Sequence, residues 1–266
     1  MRNKLFKILI FPFAILLLAF QGFEVLKTID IKSDFITSDN LGNVYIIKGE
    51  ELTKYDPNGN LFQQYSSKRL GKINAVDVSN PLKILVFYKD FSTIVFLDGM
   101  LAETANPINL NGLMLEQASL ICTSNNNCFW VYDPVSFQLV RVNQYLSKIQ
   151  QTGNLVQQLG VSLNPNFIME SNNWVYLNNP ETGVLVFDIY GTYFKTIPLL
   201  SLSSFQVIDN KIVYFEANKM INYDLKTLES NVFSLPDSSG ISARVSEKTI
   251  CIQKEKQVDF YRKKSD

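Results

Sequence analysis

From residue 23 onward the apolar positions fall in short runs rich in β-branched and aromatic side chains, fenced by Asn, Asp, Gly and Ser, with almost no helical period. Six of these runs form a series: NVYII at 43–47, KILVFY at 83–88, CFWVY at 128–132, WVYLN at 174–178, KIVYF at 211–215 and TICIQ at 249–253. Each follows a turn cluster and reads as one strand. A second series trails the first and ends on Asp56, Asp98, Asn143, Asp188, Asp224 and Tyr261, at intervals of 36 to 45 residues. Six units of about forty residues have the period of propeller blades.

The turn that closes the second strand of each unit is clearest in YDPNGN, 55–60. Pro57 presets φ for a type I turn, Gly59 accepts a positive φ, and the Asp56 carboxylate can take the turn's amides, so the chain reverses at once. The run LFQQYSS that follows is the returning strand. With an inner strand such as FITSD, every unit supplies four strands. This predicts an all-β protein: a six-bladed β-propeller with four-stranded antiparallel blades over residues 23–266. The sixth unit runs out near Tyr261, and the unassigned FEVLKTIDI at 23–31 is expected to pair with it, closing the ring with the N-terminal strand.

The first 22 residues place Arg2, Lys4 and Lys7 before an uncharged apolar run from Ile8 to Phe20, the layout of a secretory signal peptide. Thirteen residues interrupted by Pro12 fall short of the ~20 that span a bilayer, so no membrane span is expected after signal removal; an uncleaved anchor is the alternative. A periplasmic or secreted location follows. There, Cys122 and Cys128, flanking TSNNN, would face each other if the hairpin centred on Asn125, so either a cross-strand disulfide or two buried thiols is open, with Cys251 unpaired. Twenty-five basic and 25 acidic side chains give no net charge, and nucleic acid is not an expected partner.

The segments ITSDNLGNVYII and YDPNGNLF resemble the NHL and YncE-like propeller repeat, whose blades pair Asp-x-x-Gly-Asn before one strand with aromatic-Asp-x-x-Gly after the next. The likeness is clearest over 36–65 and partial over 167–198; Gly42 and Gly59 lack counterparts in several units. It implies a fold and carries no active site. The exported, Asn-, Lys- and Phe-rich chain also resembles periplasmic propeller subunits of Bacteroidetes-type envelope machines. That likeness implies a protein partner such as an outer-membrane complex.

The absence of His removes Ser-His-Asp and Cys-His catalysis, imidazole metal sites and the usual neutral-pH base. Asp39, Asp77, Glu170, Asp209 and Glu247, with Asn125, Asn172 and Asn210, fall near the ends of the innermost strands. Six-bladed lactonases of the gluconolactonase and paraoxonase type hold Ca²⁺ in the channel with such oxygens. The same residue types also make tight turns, the preferred reading here, so neither a metal nor another cofactor is expected. Trp130 and Trp174 are a candidate sugar platform, but their central-strand positions favour packing between blades.

A non-catalytic interaction scaffold is therefore the expected function, an accessory subunit of an envelope secretion or assembly complex; a Ca-dependent lactonase-like hydrolase or a channel ligand binder is the alternative. The loops joining one unit to the next are long and leucine-rich. With the turns between second and third strands, they bring Phe91, Leu110, Leu113, Met114, Phe137, Leu155, Leu159 and Leu200 to one face, expected either to bind a partner or to fold inward over the channel.

Overall fold

The computed structural model describes residues 22–264. The signal peptide expected over 1–22 therefore lies outside the described residues, apart from Gly22. Twenty-four strands form six four-stranded antiparallel sheets, and the chain is a six-bladed propeller. The first strand, β1 (Phe23–Ile29), is set aside for the last sheet; blade 1 is β2 (Phe35–Ser38), β3 (Val44–Lys48), β4 (Glu51–Tyr55) and β5 (Leu61–Ser66). Blade 2 runs from β6 (Ala75–Asp77) through β7 (Ile84–Tyr88) and β8 (Thr93–Leu97) to the two-residue β9 (Ile108–Asn109). Blade 3 is β10 (Leu120–Ser124), β11 (Cys128–Asp133), β12 (Gln138–Val142) and β13 (Lys148–Gln151). Blades 4 and 5 hold β14–β17 and β18–β21, spanning 167–197 and 206–234, and blade 6 holds β22 (Ser242–Val245), β23 (Thr249–Gln253), β24 (Val258–Lys263) and β1.

Burial grades across each blade. The second and third strands are apolar on both faces, as in ILVFY of β7 and TIVFL of β8, because each sheet is covered by a neighbour on either side. Side chains alternate between the two neighbours: Ile84, Val86 and Tyr88 pack toward blade 1, whereas Leu85 and Phe87 pack toward blade 3. Six buried clusters fill the six gaps between blades. The outer strands are largely exposed and polar, as in LFQQYS of β5.

The recurring Asp is a turn device. Asp56 Oδ1 accepts the amides of Asn58 and Asn60 at 2.8 and 2.9 Å, and Asp98, Asn143 and Asp188 hold the residues two and four positions on in the same way. The fourth residue of the turn has positive φ: 79° at Gly59 and 84° at Gly191, but also 60° at Leu101 and Leu146. Leucine there explains why Gly is missing from several units; the side-chain cap holds a conformation that a Cβ disfavours. At Gly59 no such exchange is available, because a Cβ would fall 2.9 Å from Lys27 Cβ, across the seam between blades 1 and 6.

That seam closes the ring. β1 pairs antiparallel with β24 from Phe23↔Lys263 to Ile29↔Val258, with a bulge between Val25 and Lys27. Thr28 Oγ1 donates to Asp259 Oδ1 at 2.7 Å, and Lys254 Nζ lies 2.6 Å from Asp259 and 2.7 Å from Asp237. Burial alone would raise the Asp259 carboxyl, yet hydrogen bonds from Lys254, Thr28 and Gln257 outweigh it and hold the pKa below the ordinary range. The Lys254 bond draws Asp237 down to about 2. Burial opposes the charge on Lys254, but its two carboxylates prevail and raise it.

The register corrects the disulfide expectation. Cys122 pairs with Trp130 and Ser124 with Cys128, and Asn126 and Asn127 form the turn with φ of 55° and 59°. The hairpin centres one residue later than Asn125, so the two cysteines are not opposite, and Cys122, Cys128 and Cys251 are free buried thiols. Burial raises the Cys122 and Cys251 pKa values, keeping both protonated.

Two predictions follow from closure. Deleting residues 22–31 strips β24 of its outer partner, and the melting temperature should fall by about 10 °C or more with aggregation through the bared edge; an unchanged melt in differential scanning calorimetry would refute this role for β1. The two depressed carboxylates contribute in full above about pH 4 and lose their contribution as pH falls through the folded values, whereas the raised Lys254 loses its own only above about pH 10.5. The melting temperature should thus stay level from pH ~5 to ~9 and fall between pH ~4 and ~2, with the acid fall shallower in Lys254→Met.

Candidate functional site

The six inner strands surround a channel of about 1880 Å³, lined by alternating hydroxyl, amide and apolar side chains. Three of its carboxylates, Asp39, Asp77 and Glu170, are engaged in the protein's own structure. Asp39 is buried and accepts the amides of Leu41 and Asn43, the Asn43 side chain and the Tyr45 hydroxyl, the last at 2.9 Å. Burial, then the adjoining Asp39 charge, raises the Tyr45 phenol, so Tyr45 remains a donor to that carboxylate. Asp209 and Asn210 form a two-residue turn with φ of 47° and 61°, and Asn172 and Asn173 form another with φ of 51° and 64°. Glu247 sits exposed in the turn between β22 and β23.

Asp77 and Glu170 hold blade 3 from its two sides. Asp77 Oδ2 accepts the amide and hydroxyl of Thr123 at 2.7 and 2.8 Å. From blade 4, Glu170 accepts the Ser124 hydroxyl, the Asn125 amide and, at 2.8 Å, Trp130 Nε1. Arg141, buried on β12, extends this network by donating to Ser124 Oγ and to both oxygens of Asn125, and reaches the Ile189 carbonyl of blade 4. The bonds of Asp77 and Glu170, and that of Arg141 to Ile189, are charge-assisted links between sheets that otherwise touch mainly through apolar side chains. Among the described residues, no three His, Cys, Asp or Glu side chains converge as a metal site.

Arg244 has a different environment. It lines the channel from β22 and donates to the Ala243 carbonyl at 3.1 Å and Ser204 Oγ at 2.9 Å. Both acceptors are neutral, and burial pushes the guanidinium down to about 10. It stays charged at neutral pH, and with five N–H groups it has donors to spare for an anion.

Trp130 is fully buried with its N–H on Glu170. Trp174 is half-buried, stacked 4.9 Å from Phe194. Both therefore pack within or between blades, but they do not occupy matching positions. Trp174 pairs with Asp188, at the start of its turn, while Trp130 pairs with Arg141, two residues before Asn143. The residue of blade 4 matching Trp130 is Tyr176, which pairs with Val186, two residues before Asp188.

The expected partner face divides. Leu110 and Leu155 are fully buried in the gaps between blades 2 and 3 and between blades 3 and 4, and cannot contact a partner. Leu113, Phe137 and Leu159 are half-buried against the same two clusters. The cause is local: a 3₁₀ turn at Leu110–Leu113 and a short helix, α1 (Leu155–Leu159), each aim their first leucine inward. The Asn154 side chain caps α1 by accepting from the Gln157 amide. Phe91, Met114 and Leu200 are exposed on this face, Met114 at 82%. Val135 and Ile241, not singled out in the sequence, are also exposed in connections on this face; their loops carry no period that tells inward from outward.

No family model matches the chain, and no curated protein sequence matches it. Solved structures do. The WD40 domain of Neurospora crassa Pan2 superposes with a TM-score of 0.64 at 8% identity, over 92% of this chain and 97% of that one. A catalytically inactive histidine-to-alanine variant of virginiamycin B lyase from Staphylococcus aureus, bound to quinupristin, gives 0.60 at 13% identity, over 91% and 99%. BamB from Moraxella catarrhalis gives 0.55 at 10% identity, over 91% and 100%. These likenesses establish the propeller fold.

If Glu170 is a clasp between blades, Glu170→Ala strands the buried Trp130 N–H and should cost about 2 to 3 kcal/mol in urea unfolding, with a shifted tryptophan emission. An unchanged midpoint and spectrum would contradict that role.

Proposed function

We propose that the protein is a non-catalytic, exported β-propeller of the NHL/YncE-like kind that acts as an interaction scaffold, an accessory subunit of an envelope secretion or assembly complex. The observation that carries this reading is the use of the channel's polar side chains: Asp39, Asp77 and Glu170 are each spent on turns or on bonds between blades. A lactonase-like hydrolase needs convergent metal ligands and a general base. The lyase that shares this fold was inactivated by loss of one histidine, and this chain has none. Without such groups a rigid ring offers its surfaces, and the face bearing Phe91, Met114 and Leu200 is the proposed seat of a protein partner in the periplasm.

A second reading, a channel that binds a small anion, rests on Arg244 and its neutral partners. It is compatible with scaffolding and uses different residues.

The test is affinity purification from gently solubilised envelopes. The unsubstituted protein should bring down an outer-membrane complex; Met114→Asp with Leu200→Asp should lose it, while the melting temperature shifts by no more than about 2 °C, since neither side chain is core. Elution alone, or retention by the double variant, would overturn the proposed interface.

A further inference from the structure

In an up-and-down blade the turns joining first to second and third to fourth strands share one end of the sheet, opposite the face discussed above. The sequence reads these turns as short and polar. Yet each of blades 1 to 5 exposes a large apolar side chain there: Leu41 in blade 1, Leu82 and Met100 in blade 2, Tyr145 in blade 3, Tyr190 in blade 4 and Leu228 in blade 5. Leu82, Tyr145 and Tyr190 are 75%, 78% and 65% exposed. The turn aspartates beside them point their oxygens back into the turn amides, which leaves the apolar residues outermost.

Blade 6 has only the first-to-second of these turns, between β22 and β23, because its third and fourth strands are the two ends of the chain. The N-terminus therefore arrives on this same face: Gly22 O accepts the Lys264 amide at 2.9 Å, and Phe23 pairs with Lys263. The apolar run Ile8–Phe20 ends two residues before Gly22, a reach of at most ~7 Å. While that run occupies a membrane, no linker allows this face to stand away from it. Exposed cations share the face, namely Lys211, Lys226, Lys248 and the Arg262–Lys264 run, with Asp209, Glu229 and Glu247 as exposed acids in its turns, Glu103 at the end of the Asp98 turn and Glu24 opposite Arg262.

We propose that this face docks on the surface of an anionic lipid bilayer. Leucine, methionine and tyrosine tips enter the headgroup region and lysines meet lipid phosphates, the combination that suits an interface. The leader delivers the face to the membrane, and the tips hold it there once the leader is removed. The proposal does not depend on the scaffold reading, since it uses the opposite face.

Residues 22–264 contain the whole closed ring, so the chain from Gly22 can be tested by co-flotation with vesicles of phosphatidylethanolamine and phosphatidylglycerol. It should float, and the triple change Leu82→Asp, Tyr145→Asp, Tyr190→Asp should lower partitioning about tenfold or more, while Met114→Asp with Leu200→Asp leaves it unchanged. Tyr190→Trp should be quenched by brominated lipids beyond the unsubstituted protein. Failure to float, equal loss in both variants, or no added quenching would each overturn the proposal. Loss of a co-purified protein by the triple change, with vesicle binding intact, would assign the face to a protein instead.

Discussion

A twisted four-stranded sheet that is apolar on both faces cannot be stable until both are covered, and this single constraint organises the molecule. Each blade covers one face of its neighbour and leaves its own far face bare, so a row of blades always has two uncovered ends. Closing the row into a ring removes both. Six clusters in six gaps are the result, and the alternation of Ile84, Val86 and Tyr88 with Leu85 and Phe87 shows one strand serving two gaps at once. The β1–β24 pairing matters for the same reason, because blade 6 must present a full sheet to blades 5 and 1 alike.

Closure leaves polar groups with a defined task. The inner strands face a water-accessible channel, where hydroxyls and carboxylates incur little desolvation. The cheapest stabilisation available to them is to tie adjacent blades, as Asp77 and Glu170 do. At the outer seam the Lys254–Asp259 pair is more deeply placed, and it persists because Thr28, Gln257 and Asp237 complete its hydrogen bonds. Ionisable residues thus serve assembly of the ring, and Arg244, with its neutral acceptors, is the clearest departure from that rule.

The period, the blade count and the closing strand were legible because each has a local physical signature. The Asp turn needs particular residue types at particular offsets, and the leftover strands at the two ends could satisfy only one another. Two matters were not legible. Register at Cys122 depended on whether three asparagines make a turn centred on Asn125 or one residue later, a choice set by the positive φ of Asn126 and Asn127. Exposure of loop leucines was equally hidden: Leu110 and Met114 stand four residues apart in one loop, one fully buried and the other outermost. A strand or helix announces its buried side by its period, whereas an irregular loop has none. Hydrophobicity alone therefore grouped the buried Leu110 and Leu155 with the exposed Phe91, Met114 and Leu200, and drew attention from short turns that expose Leu82, Tyr145 and Tyr190.

Those turns connect closure with placement. The strand that completes the ring is the first of the described strands, and its partner lies more than 200 residues later, so the contact that covers the last two bare faces forms only late in the chain. In the proposed docking, a leader held in a membrane would keep β1 at the bilayer surface during that wait, and the other blades would assemble beside the lipid with the face that receives β1 turned toward it. Apolar tips on that face would promote aggregation in a freely diffusing intermediate; against headgroups they have somewhere to go. Under that proposal the same topology that seals the core would also orient the disc, and the opposite face, with the exposed Phe91, Met114 and Leu200, would be directed away from the membrane.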